Sequence, residues 1–122
     1  MNEQNSNKSI LKLLEAFELV GITFISGYIQ FLFDESVLNT YTLPLINKGS
    51  KIIRPTDFGY YDTLYKLIGK KIITAYEDEK EEKIKIRFDS DTELSVSLKA
   101  EDRNCAEAVM LQIEAEGKWN IW

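Results

Sequence analysis

The segment KIKIRFDSDTELSVSLK, residues 83–99, contains the pattern that most constrains the fold. Apolar side chains occupy every second position from Ile84 to Phe88 and again from Leu94 to Leu98. Because successive side chains of a strand point to opposite faces, this period of two places each apolar row on one face. The polar DSD between the two rows is typical of a turn, so the segment predicts a β-hairpin with one buried face.

The buried face also restricts the register of that hairpin. Both apolar rows face one core only if paired residue numbers have an even sum, which requires an odd number of residues in the loop. The expected cross-strand pairs are Phe88–Leu94, Ile86–Val96 and Ile84–Leu98. Upstream, the run KKIITAY predicts a third strand of the same antiparallel meander, joined to the hairpin through the acidic tip EDEKEE, residues 77–82.

A helical period marks the N-terminal part of the chain. Apolar side chains follow the i, i+3, i+4, i+7 spacing of one helix face, at Ile10, Leu13, Leu14 and Phe17. Gly21 is placed to end this helix, so we expect an amphipathic helix between Ile10 and Gly21. The polar residues 1–9, MNEQNSNKS, are expected to form a flexible tail before a single domain of residues 10–122.

The most apolar stretch of the chain is FISGYIQFLF, residues 24–33. If Ser26 and Gly27 form a two-residue hairpin loop, Thr23 lies opposite Gln30 and apolar residues face apolar residues on either side of that pair. The alternative is one long strand with a bulge at Gly27. Both interpretations place Ile29, Phe31 and Phe33 on one sheet face.

Two segments follow that stretch. VLNTYTLPLI, residues 37–46, is rich in β-branched and aromatic side chains and predicts a strand, whose end Pro44 places at a sheet edge. NKGSKIIRPTD, residues 47–57, predicts a loop. Thr56 or Asp57 at the end of this loop is suited to cap a second helix, which Gly69 would end.

The C-terminal part completes the expected order of elements. Residues 100–111, which include NCAEAVML, predict a short helix, and KWNIW at residues 118–122 predicts a final strand. We therefore expect an α+β fold in a single domain with a mainly antiparallel sheet. The N-terminal amphipathic helix and the second helix are expected to pack on one face of that sheet.

Composition and charge restrict the compartment and the partners. The chain has 122 residues, a net charge of −5 and one cysteine, so it can form no internal disulfide. The chain contains no run of about 18 apolar residues, the length that a membrane-spanning helix needs. The N-terminal residues also lack the basic segment followed by an apolar segment that is typical of a secretory signal. We therefore expect a cytoplasmic protein with no membrane partner. An acidic chain is poorly suited to bind nucleic acid, whose phosphates attract a basic surface.

The chain lacks the residue types on which most catalytic and metal sites depend. It contains no histidine, which removes the usual general base and the usual activator of serine or cysteine nucleophiles. One cysteine without histidine cannot form an ordinary zinc site. Cys105, among small apolar neighbours, is expected to be buried. We therefore expect a protein that is not an enzyme and that holds no cofactor or metal.

The acidic tip is the first candidate for a functional site. Its carboxylates, Glu77, Asp78, Glu79, Glu81 and Glu82, are either a solvated hairpin end that prevents aggregation or a docking surface for a cationic protein. The predicted second helix offers Tyr60 and Tyr61 as anchors if they are exposed, because tyrosine is enriched among residues that dominate binding energy. Asp62, beside them, completes the candidate partner-binding set.

In its small size, acidity and expected α+β fold, the chain resembles the small acidic immunity proteins of bacterial polymorphic and contact-dependent growth-inhibition toxin systems. The residues that carry the resemblance are LIGKKI before the acidic hairpin, then IKIRFDSDTELSVSL and the closing WNIW. The resemblance implies tight, non-catalytic binding to the toxic domain of a neighbouring gene product, often a basic nuclease, whose active site is blocked. These families share no binding motif, so no residue role is carried over.

Two other functions stay open at the level of sequence. The first is another protein-interaction or homo-oligomeric assembly domain, with a contact through the tyrosine-rich helix or a sheet edge. The second is an enzyme or small-ligand binder that uses carboxylates, tyrosine and lysine. Whether the chain is a monomer or a homodimer is left undecided by the sequence.

Overall fold

Two five-stranded antiparallel sheets make up most of the part of the chain that the computed structural model describes, residues 10–122. The strands are β1 (Leu19–Ile25), β2 (Tyr28–Phe33), β3 (Ser36–Thr40), β4 (Leu45–Lys48), β5 (Lys51–Ile53), β6 (Ile72–Asp78), β7 (Lys83–Phe88), β8 (Thr92–Ser97), β9 (Val109–Ile113) and β10 (Lys118–Ile121). The predicted flexible tail, residues 1–9, lies outside the described residues.

The first sheet has the strand order β1-β2-β3-β9-β10 and starts with the Ser26-Gly27 hairpin. The register places Thr23 opposite Gln30 and Ile25 opposite Tyr28, which confirms the two-residue loop over the long bulged strand. Gly27 has a φ of 94°, a left-handed conformation that a side chain would strain. Gly27 therefore allows the two-residue turn, and the length of this turn determines the register of β1 and β2.

The second sheet has the order β5-β4-β8-β7-β6 and contains the hairpin of alternating residues. Its apolar rows face the core as predicted, but the register differs by two positions. The observed pairs are Ile84–Val96, Ile86–Leu94 and Phe88–Thr92. The loop has three residues and ends at Asp91 in the left-handed region, with a φ of 57°. This is a favoured hairpin loop, and because both registers satisfy the even-sum rule, only the loop geometry distinguishes them.

One hydrophobic core joins the inner faces of the two sheets. Phe31, Leu38 and Leu111 contribute from the first sheet, and Ile86 and Leu94 from the second. At one corner, backbone hydrogen bonds connect the segment before β1 to the start of β6. Ala16 N–H donates to the Ile72 carbonyl over 2.7 Å, and Leu19 N–H donates to the Lys70 carbonyl over 2.9 Å.

This corner explains why the N-terminal helix is shorter than predicted. Helix is present at residues 10–12, turns follow at residues 13–16, and β1 already begins at Leu19. Gly21 lies inside β1 and does not end a helix. The N–H of Ala16 bonds to β6 and Ala16 has a φ of 76°, so the backbone leaves the helical path there. Tertiary pairing has overridden local helical propensity.

The second helix covers Tyr60–Tyr65 and is called the tyrosine helix below. Gly59, with a φ of 86°, occupies its N-cap, where no side-chain cap bond is formed. The predicted cap is therefore wrong, and Asp57 instead accepts a hydrogen bond from the Arg54 backbone N–H over 2.7 Å. Turns continue to Gly69, whose φ of 94° fits the predicted end.

Three segments differ from their predicted structure. The short helix expected in residues 100–111 is a 3-10 turn, Ala100–Asp102, followed by β9, which pairs with both β3 and β10. The expected loop at residues 47–57 contains the β4–β5 hairpin, and residues 37–46 are divided between β3 and β4 in different sheets. The result is mostly antiparallel sheet with two short helices, consistent with the α+β class, but with two sheets in place of one sheet covered by helices.

Candidate functional site

The acidic hairpin consists of β6, β7 and the connection between them, and the acidic tip, residues 77–82, comprises the last two residues of β6 and the four connecting residues 79–82. Asp78 shapes the tip by accepting a hydrogen bond from the backbone N–H of Glu81 over 3.0 Å. Glu82 takes a left-handed φ of 53° before β7 begins. The five predicted acidic residues are therefore together at one end of the second sheet, but they divide between two sides of the hairpin.

On the outer side, two of the acids are neutralised within the hairpin. Lys85 Nζ lies 2.8 Å from a Glu81 oxygen and 3.4 Å from an Asp78 oxygen, and Lys83 Nζ lies 3.4 Å from Glu81. The backbone hydrogen bond from Glu81, together with Lys85, holds the pKa of Asp78 below its usual value. The two lysines lower the pKa of Glu81 in the same way, and the Glu81 contact raises the pKa of Lys85.

On the inner side, the other three acids border a groove that contains the indole ring of Trp122. The groove has a volume of about 290 Å³ and is lined by Glu77, Glu79, Glu82, Leu98, Arg103 and Trp122. Glu77 accepts a hydrogen bond from the indole N–H of Trp122 over 3.0 Å. Within residues 10–122, neither Glu77 nor Glu82 forms a salt bridge with a lysine or arginine. We call this the carboxylate groove.

Arg103 borders the carboxylate groove but is directed to backbone oxygens. Its guanidinium donates to the Leu98 carbonyl over 2.9 Å and to the Ala106 carbonyl over 2.7 Å. These bonds hold the segment after β8 in place beside the hairpin. The groove thus has a fixed wall, an aromatic ring and carboxylates, an arrangement suited to a cationic side chain that is neutralised by the acids and packs on the indole.

The sequence alone identified the acidic residues but not the lysines and the tryptophan that contact them. Lys85 lies opposite Tyr76 in the ladder, two positions from the end of β6, and this places its long side chain within reach of the tip. The alternation in KIKIRF already puts Lys83 and Lys85 on the solvent face beside the acids. That signal would have identified the ion pairs. The Trp122 contact joins residues 45 positions apart and has no local signal.

The two predicted tyrosine anchors have different environments. Tyr60 is only 1% exposed and its hydroxyl donates to the Pro44 carbonyl over 2.6 Å, so the expectation that it could anchor a partner at the surface is wrong. Burial raises the pKa of the Tyr60 hydroxyl. Tyr61 is 50% exposed and packs edge-on against Phe24 with ring centroids 5.2 Å apart. Asp62 is exposed and pairs with Lys66 over 3.2 Å.

Tyr61 and the acidic hairpin border neighbouring grooves. Phe24 and Tyr61 line a groove of about 400 Å³ at the tip of the first hairpin, and Leu43 also lines it. Leu43 lines a second groove of about 450 Å³, together with Glu81 and Lys83. The structure therefore brings Tyr61 and the outer side of the hairpin to adjacent surfaces, while the carboxylate groove lies on the inner side.

Three other chemical features bear on the site. The side chain of Cys105 is exposed, so its predicted burial is wrong. Among the residues that the structure describes, no group of three or more His, Cys, Asp or Glu side chains is arranged to hold a metal ion. No helix within the same part of the chain has the length and apolar content needed to cross a bilayer.

The fold and the site define a small antiparallel two-sheet protein with an acidic groove at one end. Comparisons of the chain with family models, with curated proteins and with solved structures gave no match. The functional interpretation therefore depends on the residues and their geometry.

Proposed function

We propose that this protein is a non-catalytic binding protein of the cytoplasm that neutralises a basic partner, namely the toxic domain of a neighbouring gene product, by covering its active site. The observation that carries the proposal is the carboxylate groove, in which neither Glu77 nor Glu82 forms a salt bridge with a lysine or arginine of residues 10–122. A basic partner would supply a cation to pair with these carboxylates, since the Arg103 guanidinium at the border of the groove donates to backbone carbonyls.

The chemistry of the groove favours a lysine or arginine side chain as the group received. Carboxylates form charge-assisted hydrogen bonds with such a cation, and an indole face attracts it through its quadrupole. Trp122 is half-buried and packs against the core, so its ring is held in place before a partner arrives. Such preorganisation lowers the entropy cost of binding.

The electrostatic contribution is expected to act chiefly on the rate of association. The net charge of −5 attracts a basic protein at a distance, and salt screens that attraction beyond about 8–10 Å. Short-range contacts would then keep dissociation slow, with Trp122 in the groove and with the exposed rings of Tyr61 and Phe24 on the surface next to the outer side of the hairpin.

The test is binding kinetics against the basic toxin domain encoded beside this gene, with survival of toxin-expressing cells as a second readout. The variant Glu79→Lys/Glu82→Lys should associate about tenfold more slowly at low salt. The control Asp34→Lys/Glu114→Lys makes the same change of +4, which takes the net charge from −5 to −1. Its two positions lie beside the Ser36–Ile113 pair, at the end of the β3–β9 ladder away from the groove. It should associate much faster than the groove variant.

Two outcomes would contradict the proposal. Equal association rates for the two charge-reversed variants would show that only net charge matters and that the interface lies elsewhere. If the neighbouring toxin domain does not bind the wild-type protein at all, the neutralising function itself is rejected, and a general interaction or assembly role replaces it.

A further inference from the structure

The outer strand of the first sheet, β10, exposes two large apolar side chains. Trp119 is 67% exposed and Ile121 is 45% exposed. They lie opposite Gln112 and Met110 of β9, on the face directed away from the core. Within residues 10–122, β10 pairs only with β9, so its other edge has no strand beside it.

The backbone of the same two residues faces that open edge. Trp122 N–H donates to the Val109 carbonyl over 2.9 Å, which marks residue 122 as a hydrogen-bonded position of the β9–β10 ladder. Such positions alternate in an antiparallel pair, so Asn120 also bonds to β9. Trp119 and Ile121 are the intervening positions, and their N–H and C=O groups point away from β9.

The other sheet edges are protected in ways that β10 is not. The start of β6 bonds to the segment before β1, and each of these two strands contains a register shift near that corner. The third edge, β5, has only three residues and is followed by Arg54 and Pro55. Bulges, charges, proline and short length are the features that prevent strands from pairing at an edge. Although β10 is short and begins with the charged Lys118, it has no bulge or proline, and its next three residues are uncharged.

Within residues 10–122, the strand positions on the face that carries Trp119 and Ile121 are uncharged. The outward positions of the five strands carry glycine, hydroxyl, amide, aromatic and aliphatic residues, among them Gln30, Val37, Met110 and Gln112. The outward face of the second sheet instead carries Asp78, Lys83, Lys85, Arg87 and Glu93. A second copy of this acidic chain can approach the uncharged face without bringing carboxylates together, whereas a basic partner finds no complementary charge there.

We propose that β10 pairs in antiparallel fashion with β10 of a second copy, across a twofold axis at Asn120, to form a ten-stranded sheet. Trp119 then lies opposite Ile121 of the other copy, and the symmetry repeats the pair. Both members of each pair have outward-facing backbone groups, so four backbone hydrogen bonds form between the copies. The register is self-complementary, as a symmetric dimer requires.

The dimer is expected to be weak and concentration-dependent. Four residues from each strand bury less than the ~800 Å² per partner of a standard stable interface. Trp119 and its apolar partner supply most of the specific contact, since aromatic residues dominate binding energy at interfaces. The features of β10 that support this assembly do not involve the proposed toxin, although the register places Lys118 of one copy opposite Trp122 of the other, at the border of the carboxylate groove.

Sedimentation equilibrium of the full chain, from low micromolar to submillimolar protein, measures the dimer directly. The variant Trp119→Lys/Ile121→Lys should raise the dissociation constant at least about tenfold, because the four lysines meet at the twofold axis. The control Val20→Lys/Ile73→Lys replaces two comparably exposed residues on β1 and β6 and should dimerise like wild type. Thermal melts of each variant establish that it is folded.

A cross-link tests the register. In a Cys105→Ser background, Asn120→Cys should form an intermolecular disulfide under oxidised glutathione, because a non-hydrogen-bonded pair has Cα atoms about 4.5 Å apart. Lys118→Cys should not, since the two copies of residue 118 lie about 14 Å apart in this register. A wild type that stays monomeric throughout, equal dimerisation of the lysine variant, or equal cross-linking at both positions overturns the proposal.

Discussion

The indole N–H of Trp122 donates to the carboxylate of Glu77 over 3.0 Å and so connects the C-terminal end of the first sheet to the acidic hairpin of the second. Glu77 lies at the inner side of the hairpin, opposite Ile84. The contact keeps a charged oxygen and a large ring together at the end of the core. It thereby makes one part of the acidic tip a fixed groove rather than a freely solvated loop.

Replacing Trp122 with Phe should remove this hydrogen bond and keep most of the ring packing. The expected loss is about 1 kcal/mol of unfolding free energy, the usual net value of one hydrogen bond. Trp122→Ala also removes the ring from the core and should cost about 3 kcal/mol or more. Urea denaturation measures both. A Phe variant as unstable as the Ala variant would contradict the separate contribution of the hydrogen bond.

Replacing Ile86 with Asp should unfold or severely destabilise the protein. Ile86 is 1% exposed in the core, and an unpaired carboxylate there is expected to cost several kcal/mol, about the whole stability of a marginal domain. Ile73→Asp is the control, because Ile73 is half exposed on β6 in the same sheet. Circular dichroism and thermal melts give the comparison, and an Ile86→Asp variant as stable as Ile73→Asp would refute the placement.

The hairpin ion pairs should make stability fall in acid. The pKa values of Asp78 and Glu81 are lowered in the folded state, so their contribution is complete above the unfolded values of about 4. The stabilising contribution of the two carboxylates is lost as pH falls through their lower pKa values in the folded state. The loss of melting temperature between pH 7 and pH 3 should therefore be smaller in Asp78→Asn/Glu81→Gln than in wild type, because those uncharged side chains no longer titrate. An unchanged pH profile would show that these pairs add nothing.

Replacing Gly27 with Ala should destabilise the first hairpin by about 1 kcal/mol, because an L-residue is strained at the φ of 94° observed there. Space is not the reason, since a Cβ at Gly27 would meet no atom of residues 10–122 within 4 Å. Gly21→Ala is the matched control, because Gly21 lies in β1 without a positive φ and its added Cβ would sit 3.5 Å from Leu32. If both variants lose the same stability, the turn conformation is not the cause.

Local sequence predicted the strands of two hairpins and which residues face the core, but it left the first turn open between two interpretations and gave the wrong register for the second hairpin. The first hairpin has the predicted register because a two-residue loop with glycine leaves little freedom. In the second, alternation determined which residues face the core, and the left-handed Asp91 decided between registers that bury the same rows. The acidic candidate set was also readable from the sequence, since five acids lie within six positions.

Tertiary structure decided what depends on distant partners. The first helix ends early because Ala16 bonds to Ile72, and β9 is a strand because it fills the space between β3 and β10. The same is true of the site, where Trp122 reaches Glu77 across 45 positions. The sequence alone determines the periodicity and the turn residues of each segment, because these two features depend only on neighbouring residues. The partner that satisfies an open backbone edge or a carboxylate is chosen only when the segments pack together.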